Sequence, residues 1–169
     1  MWDEYDIIVN CTGLSAGQLT GDPSIVPSRG QVMRVDNSSG KHTFAYIDNG
    51  TERMPYYIWT PDYTVIGGTK LIGCTDSQVS QNDHDLIIEN CRKYFPWLNV
   101  VEDRIREEVV GFRPSRPAIR LEEEHICYKG ANKWIVHNYG HCAHGIAYSW
   151  GSAHVAVELV IDILQRSKL

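Results

Sequence analysis

The sequence predicts an α+β fold: a mixed or largely antiparallel sheet with one helix in mid-chain and one at the C-terminus. Two observations carry this. Runs with period-two alternation recur at residues 31–35, 43–47, 53–59 and 63–67, whereas only 82–95 and 145–165 carry a helical period. No internal repeat or low-complexity stretch interrupts them, and 169 residues at 43% hydrophobic content suffice for a real core.

Each element has its own signal. Residues 5–10 (Tyr5 to Asn10) read as a short buried strand running into Cys11-Thr12-Gly13, a small-residue turn that can bring backbone close to a ligand. Residues 14–30 carry Gly17, Gly21, Pro23, Pro27 and Gly30 and are expected to form a loop. Asn49-Gly50 is a hairpin signal between two strand runs, and Gly67-Gly68 ends a strand. In 82–95, Asn82 is the expected N-cap, with Asp83 and Asp85 in the first turn and Arg92 and Lys93 in the last. Leu86, Ile87, Cys91 and Tyr94 form its stripe, and Pro96 stops it. Residues 104–112 form a strand leading into a segment stiffened by Pro114 and Pro117. A further strand is expected over 133–138, a flexible turn over 139–145, and then a long helix. Its stripe is Ile146, Ala147, Trp150, Ala153, Val157, Val160, Ile161 and Leu164.

Composition narrows the function classes. A net charge of −5 without a Lys/Arg cluster argues against nucleic acid as a partner. No apolar run approaches the roughly 18 residues that span a bilayer, and the acidic start at Asp3-Glu4 is unlike a signal or transit peptide. Five scattered cysteines without a CxxC pair fit free thiols better than a disulfide framework. Asn10, Asn37 and Asn49 head Asn-x-Ser/Thr triplets, which are not read as glycosylation sites because nothing directs the chain to secretion. The terminal Ser167-Lys168-Leu169 is a receptor-read peroxisomal address. It places the protein in the peroxisomal matrix, with the import receptor as a partner.

Three groups of residues could carry chemistry. Backbone N–H groups near Gly145, Ile146 and Ala147, at a helix N-terminus after a glycine-bearing turn, could hold a phosphate or the negative edge of a reduced flavin; an ordinary strand-to-helix connection reads the same way. Arg113, Arg116 and Arg120 lie on the proline-stiffened segment. They could fork onto a carboxylate, or form surface salt bridges with Glu122, Glu123 and Glu124. His137, His141, His144 and His154 with Cys142 have poor spacing for zinc, so no metal is expected. No nucleophile elbow, Walker loop or Gly-x-Gly-x-x-Gly is present, so nothing here holds a dinucleotide pyrophosphate in the Rossmann manner. The opening strand has no earlier partner, which hints at truncation.

Several segments, in order, resemble the D-amino-acid oxidase and D-aspartate oxidase family. Asp6 to Gly13 resembles the strand and turn ending the family's flavin domain. Arg29 to Val35 resembles the strand entering its substrate domain, and Thr64 to Thr69 another of its strands. Gly111 to Arg120 is similar to its arginine segment; His137 to His141, Gly145-Ile146 and Trp150-Gly151 to its flavin-contacting loop and final helix. The resemblance covers nearly the whole chain as a C-terminal half. It implies the end of an FAD-binding domain at 1–30, a substrate domain at 31–112, and a return over 113–169 through the flavin-contacting loop to the final helix of an α/β flavin domain whose N-terminal part is missing.

The resemblance also implies roles. Arg113 grips the substrate α-carboxylate and Tyr56 shares it, with Tyr57 as a rival. Thr12, Cys142, Ala143, His144, Gly145, Ile146 and Ala147 contact FAD, and the Ala143 carbonyl accepts from the substrate amine. Hydride passes from the substrate Cα to the flavin, dioxygen reoxidises the flavin to give hydrogen peroxide, and the imino acid hydrolyses to a 2-oxo acid and ammonia. Lys70 or Arg53 could pair a second carboxylate, which leans the expected substrate toward acidic D-amino acids. The sequence departs from the pattern at Cys142-Ala143, where small residues such as Gly-Gly are usual, at His144, and at Ala147, where a lost hydroxyl would cost about 1 kcal/mol. These departures keep an inert, flavin-free product as the alternative. The exposed edge of a missing domain would invite association, which leaves a homo-oligomer open.

Overall fold

The computed structural model describes residues 3–36 and 43–167. Chain contacts divide it into two compact units: residues 27–113, and residues 1–26 together with 114–169. The chain enters the first within strand β2 (Val26–Val35) and leaves it within the long strand β7 (Ile105–Tyr128).

In the 27–113 unit, β2 is followed by β3 (Phe44–Tyr46), β4 (Arg53–Trp59), β5 (Thr64–Thr69) and β6 (Leu71–Ile72). Its sheet order is β7-β2-β5-β4-β3, with β6 pairing the start of β2. The β2–β5, β5–β4 and β4–β3 pairs are all antiparallel. Period-two alternation sorts the side chains. Met33, Val35, Tyr57 and Ile66 turn to one face and are buried against Ile87, Ile88 and Cys91, while Gly30, Tyr56 and Gly67 fall on the other. Tyr57 meets Phe95 edge-on at 5.1 Å. Burial pushes the Cys91 thiol up to about 12, as suits an inert core residue.

The helix α2 (Gln81–Tyr94) that supplies this core starts two residues earlier than the expected N-cap at Asn82 implies. Its N-cap is Ser80, not Asn82: the Ser80 backbone is extended, and its side chain accepts from the Asp83 N–H at 3.3 Å. Asp83 sits in the first turn as expected, but is buried. Pro96 follows the helix in a 3-10 turn. The Asn49-Gly50 turn is an Asx-type loop, with Gly50 at φ 70° and Asn49 accepting from Thr51.

In the other unit, β1 (Ile7–Asn10) pairs parallel with β8 (Ala131–His141), and β8 pairs antiparallel with β7. The expected loop over 14–30 is only partly a loop. A short helix α1 (Ala16–Thr20) ends at Gly21 in the left-handed conformation, and β2 has begun by Val26. Ala16 is fully buried beside Ile25 and Tyr139, and tertiary burial of this kind fixes a helix too short to show a period. Gly17 packs so close that a Cβ there would lie 2.8 Å from Ile25 Cγ2.

Helix α3 (Gly145–Ser167) has the expected extent but a different inner face. Ala156 and Ile163 are buried on Val136, with Leu159 and Val160 partly so. Most of the predicted stripe instead faces outward: Ile146 is 94% exposed and Trp150 89%, and Val157, Ile161 and Leu164 are exposed as well. The helix is apolar on two sides, so periodicity alone picked the more hydrophobic one. Among the described residues no helix is long and apolar enough to cross a membrane, and all five cysteines are free thiols.

Candidate active site

The 27–113 unit holds an arginine seat assembled from strand residues. Arg113 is half-buried, and its Nη1 donates to the Thr69 carbonyl at 3.0 Å. The two neighbouring arginines are committed elsewhere: Arg116 to Asp22 at 3.0 Å, and Arg120 to Glu122 and Glu124 at 2.7 and 2.9 Å. Among the described residues no carboxylate pairs with Arg113. The salt-bridge reading of the segment therefore holds for Arg116 and Arg120, and Arg113 keeps its fork available for an anion.

Tyr56 stands beside it. Burial raises the phenol above its ordinary value, and the charge and hydrogen bond of Arg113 act against that rise. Three glycines make room for the pair. A Cβ on Gly30 would lie 2.3 Å from Arg113 Nη1; on Gly67, 2.6 Å from Tyr56 Cζ; on Gly68, 2.8 Å from the Gln31 carbonyl and 3.1 Å from the Tyr56 ring. The Gly67-Gly68 peptide is cis. The sequence marked these glycines only as loop and strand punctuation. Their signal was that each interrupts a strand pattern, which marks close approach of another group.

A buried network supports the seat from the α2 side. Arg29, only 1% exposed, donates to Asp83 at 2.9 Å, to Gln31 at 2.8 Å, and to the Asp76 and Gln78 carbonyls. Gln31 is tied to both the N–H and the carbonyl of Ser80, and its own N–H donates to Thr69 Oγ1 at 2.8 Å. Thr69 is the residue whose carbonyl receives Arg113. A buried guanidinium engaged at all three nitrogens is rigid, and so is what it braces.

Of the sequence-predicted substrate residues, Tyr57 is turned away from this seat, Arg53 is engaged by Asp83, and Lys70 lies at its edge, next to the Thr69 whose carbonyl receives Arg113. Tyr57 lies in the core on the opposite face of β4, with its hydroxyl on Thr43 at 2.7 Å; one step along a strand reverses the side. Tyr56 is therefore the tyrosine beside Arg113. Arg53, partly exposed, gives its Nε at 2.9 Å to Asp83, the carboxylate that also holds the buried Arg29. Lys70 is exposed just past the end of β5, its N–H donating to the Glu52 carbonyl.

In the other unit, the residues expected to meet a cofactor fall at the ends of β1 and β8. Thr12 is exposed and donates from both N–H and hydroxyl to Asn10 Oδ1, at 3.2 and 2.6 Å. β8 runs to His141, three residues beyond prediction. Cys142, Ala143 and His144 then form a 3-10 turn that leads into Gly145, Ile146 and Ala147 at the start of α3. Ala143 to Ala147 are exposed, and His144 stacks on Tyr148 at 5.5 Å. Cys142 holds a left-handed φ of 50°, a conformation that favours glycine. Among the described residues, Asn138 Oδ1 on β8 and His141 Nε2 at its end are buried without a partner. Among the described residues no cluster of His, Cys, Asp or Glu is placed to hold a metal ion. Ser167 is the last residue of α3; Lys168 and Leu169, and Asn37, lie outside the described residues.

Comparison with known proteins gives consistent matches. A family model described as FAD dependent oxidoreductase matches residues 3–159. A D-amino-acid oxidase from Dictyostelium discoideum is 34% identical over 157 residues, covering 93% of this chain and 44% of the relative. The D-aspartate oxidase of Homo sapiens is 36% identical, covering 96% and 47%, and D-aspartate oxidase 1 of Caenorhabditis elegans 38%, covering 98% and 48%. The chain thus spans about half the length of these curated relatives. Among solved structures, a glycine oxidase from Bacillus cereus superimposes with a TM-score of 0.73 at 20% identity, over 91% of this chain and 42% of that one. At that identity the likeness speaks for the fold alone.

Proposed function

Because the chain belongs to the family of FAD dependent oxidoreductases, we propose that it carries the substrate seat and part of the cofactor site of an enzyme that oxidises D-amino acids. The observation that carries this is Arg113: a half-buried guanidinium with no carboxylate partner among the described residues, seated against Gly30 and beside Tyr56. An amino acid's α-carboxylate would be held by the Arg113 fork, with the Tyr56 hydroxyl as a second donor. The rigid brace through Thr69, Gln31 and Arg29 would keep the fork in place, so the chain's contribution to rate is orientation rather than proton transfer. Thr12 and the 142–147 turn, with the main-chain N–H groups at the start of α3, would hold the FAD. When bound, FAD supplies the hydride acceptor and its reoxidation by dioxygen, which yields hydrogen peroxide.

Within that class we propose acidic D-amino acids as the preferred substrates. Arg53 is spent on Asp83, so Lys70, exposed beyond β5, is the residue left to meet a side-chain carboxylate. Housing in the peroxisomal matrix, addressed by Ser167-Lys168-Leu169, would suit an enzyme that releases peroxide. A second reading, a chain that has lost its flavin, is favoured by one observation: Cys142 occupies a left-handed position at the turn, which costs a side-chain-bearing residue about 1 kcal/mol or more.

The test is flavin content and peroxide release with D-aspartate and D-alanine, on the longest protein the coding sequence provides. Bound FAD and faster turnover of D-aspartate support the proposal, and Lys70→Met should then narrow the difference between the two substrates. A protein that retains no FAD at saturating cofactor supports the inert reading.

A further inference from the structure

We propose that Glu124, His137 and Asn10 form a hydrogen-bond relay that fixes Thr12 as an acceptor, so that a ligand must present an N–H or O–H donor to it. The identity of that ligand rests on the proposed function, in which it is the flavin; the relay itself does not.

The argument starts from a group that can act in only one way. The Thr12 backbone N–H is a donor, so the Asn10 side-chain atom 3.2 Å from it is the amide oxygen. That settles the amide's orientation and turns its nitrogen toward His137 Nδ1, at 3.4 Å. The amide nitrogen only donates, so Nδ1 must be bare and accept. The ring proton then sits on Nε2, which donates to Glu124 Oε2 at 2.9 Å.

Both ends agree with this assignment. Hydrogen bonds from His137 and Arg120 outweigh the effect of burial and hold the Glu124 carboxyl below its usual range, as an ionised acceptor. His137 is fully enclosed, and burial holds it below its ordinary value, as a neutral ring. It faces Asn10 on β1, Glu124, Glu122 and Arg120 on β7, and the Tyr139 ring edge-on at 5.6 Å.

The consequence falls on the Thr12 hydroxyl. An ordinary threonine can turn its proton to suit either kind of partner. Here Oγ1 lies 2.6 Å from the same Asn10 oxygen, so its proton is committed inward. Thr12 is exposed, and what it offers outward is lone pairs. On FAD the matching donors are the flavin ring N–H, the hydroxyls of the ribityl and ribose groups, and the adenine amino group. His137 is therefore a positioning residue, acting through Asn10 on a residue of the cofactor site.

Nitrogen NMR on the labelled protein reads the relay directly and needs no flavin. At neutral pH His137, assigned by its loss in His137→Gln, should be a neutral ring protonated on Nε2. A ring protonated on Nδ1, or an imidazolium, overturns the proposal. In the FAD-loaded protein, Thr12→Val should weaken FAD retention on dilution about 5- to 10-fold, as loss of one acceptor predicts, while Thr12→Ser stays within about twofold. FAD methylated at the ring N–H separates the sources. It should be held as weakly by the unaltered protein if that N–H is the donor, and as tightly as FAD if a hydroxyl or the adenine amino group is. Equal retention in Thr12→Val and the unaltered protein overturns the assignment of Thr12. Failure of the unaltered protein to bind FAD sinks the proposed function instead, and the tautomer still decides the relay.

Discussion

The two units meet their apolar surface in opposite ways. In residues 27–113 the sheet's apolar face is covered by α2 and closed by Phe95, Leu98 and Val100, and the arginine seat on the other face is braced by the unit's own buried residues. In the unit of residues 1–26 and 114–169, the inner face of α3 is packed but its outer face is bare from Ile146 to Leu164. β1 is an edge strand there, and Val9 is 48% exposed. Apolar helix faces and open strand edges are normally covered. One unit thus covers its own apolar face, and the other leaves one bare.

Core truncation should break the first unit hardest. Tyr57→Ala removes a buried ring from contact with Phe95 and should cost about 3–5 kcal/mol, read as a fall in the denaturation midpoint. Tyr56→Phe, one residue away, should leave the midpoint within about 0.5 kcal/mol. If the two variants unfold alike, the strand's two faces are not divided as described.

Next in size is the seat. Under the proposed function, Arg113→Met should weaken carboxylate substrates by about 3 kcal/mol, roughly 100-fold in KM. Gly30→Ala should reproduce part of that loss although it removes no functional group, because its Cβ would meet Arg113 Nη1 at 2.3 Å. Tyr56→Phe should cost about 1 kcal/mol of substrate binding. An unchanged KM in Gly30→Ala would show that the guanidinium is not confined by that glycine.

What was legible in the sequence follows the same division. Strands β4 and β5 and helix α2 were readable because each meets one core and has one period. Arg113 was readable from the stiff segment that carries it, but its freedom from acidic partners was not, since that depends on Asp22, Glu122 and Glu124 being taken by Arg116 and Arg120. Asp83 was legible as a first-turn charge, but its pairing with Arg53, thirty residues away, leaves no local trace. Gly30 and Gly67 gave only their absence of a side chain, and what fills the space comes from distant strands. The face of α3 failed for a different reason. Period reports which side is most apolar, and here the most apolar side is the uncovered one.

A smaller effect comes from pH. His84 on α2 places Nδ1 2.7 Å from Glu108 and Nε2 3.3 Å from Glu102. Burial opposes the charged ring, but hydrogen bonds to both carboxylates and their charges outweigh it, so its value is raised above the ordinary 6.5. A raised value in the folded state means stability fully present below the unfolded value and lost as pH rises through the folded one. The melting temperature of the unaltered protein should therefore exceed that of His84→Gln most at about pH 6, with the gap narrowing toward about pH 9. A constant gap would mean that His84 is a neutral partner.

The smallest expected change in stability bears most directly on the uncovered helix. Trp150 is 89% exposed, so Trp150→Ser removes almost no packing within this chain and should shift the midpoint by less than about 0.5 kcal/mol. Its effect should appear in association instead. An apolar stripe shared with Ile146, Val157 and Ile161 draws copies together, so the variant should remain soluble at higher concentration and sediment as a smaller species. Ile163→Ala on the inner face should do the reverse, costing about 2–5 kcal/mol with no gain in solubility. If Trp150→Ser destabilises the protein as much as Ile163→Ala, then the outer face is already covered within the folded protein, and the contrast between the two units disappears.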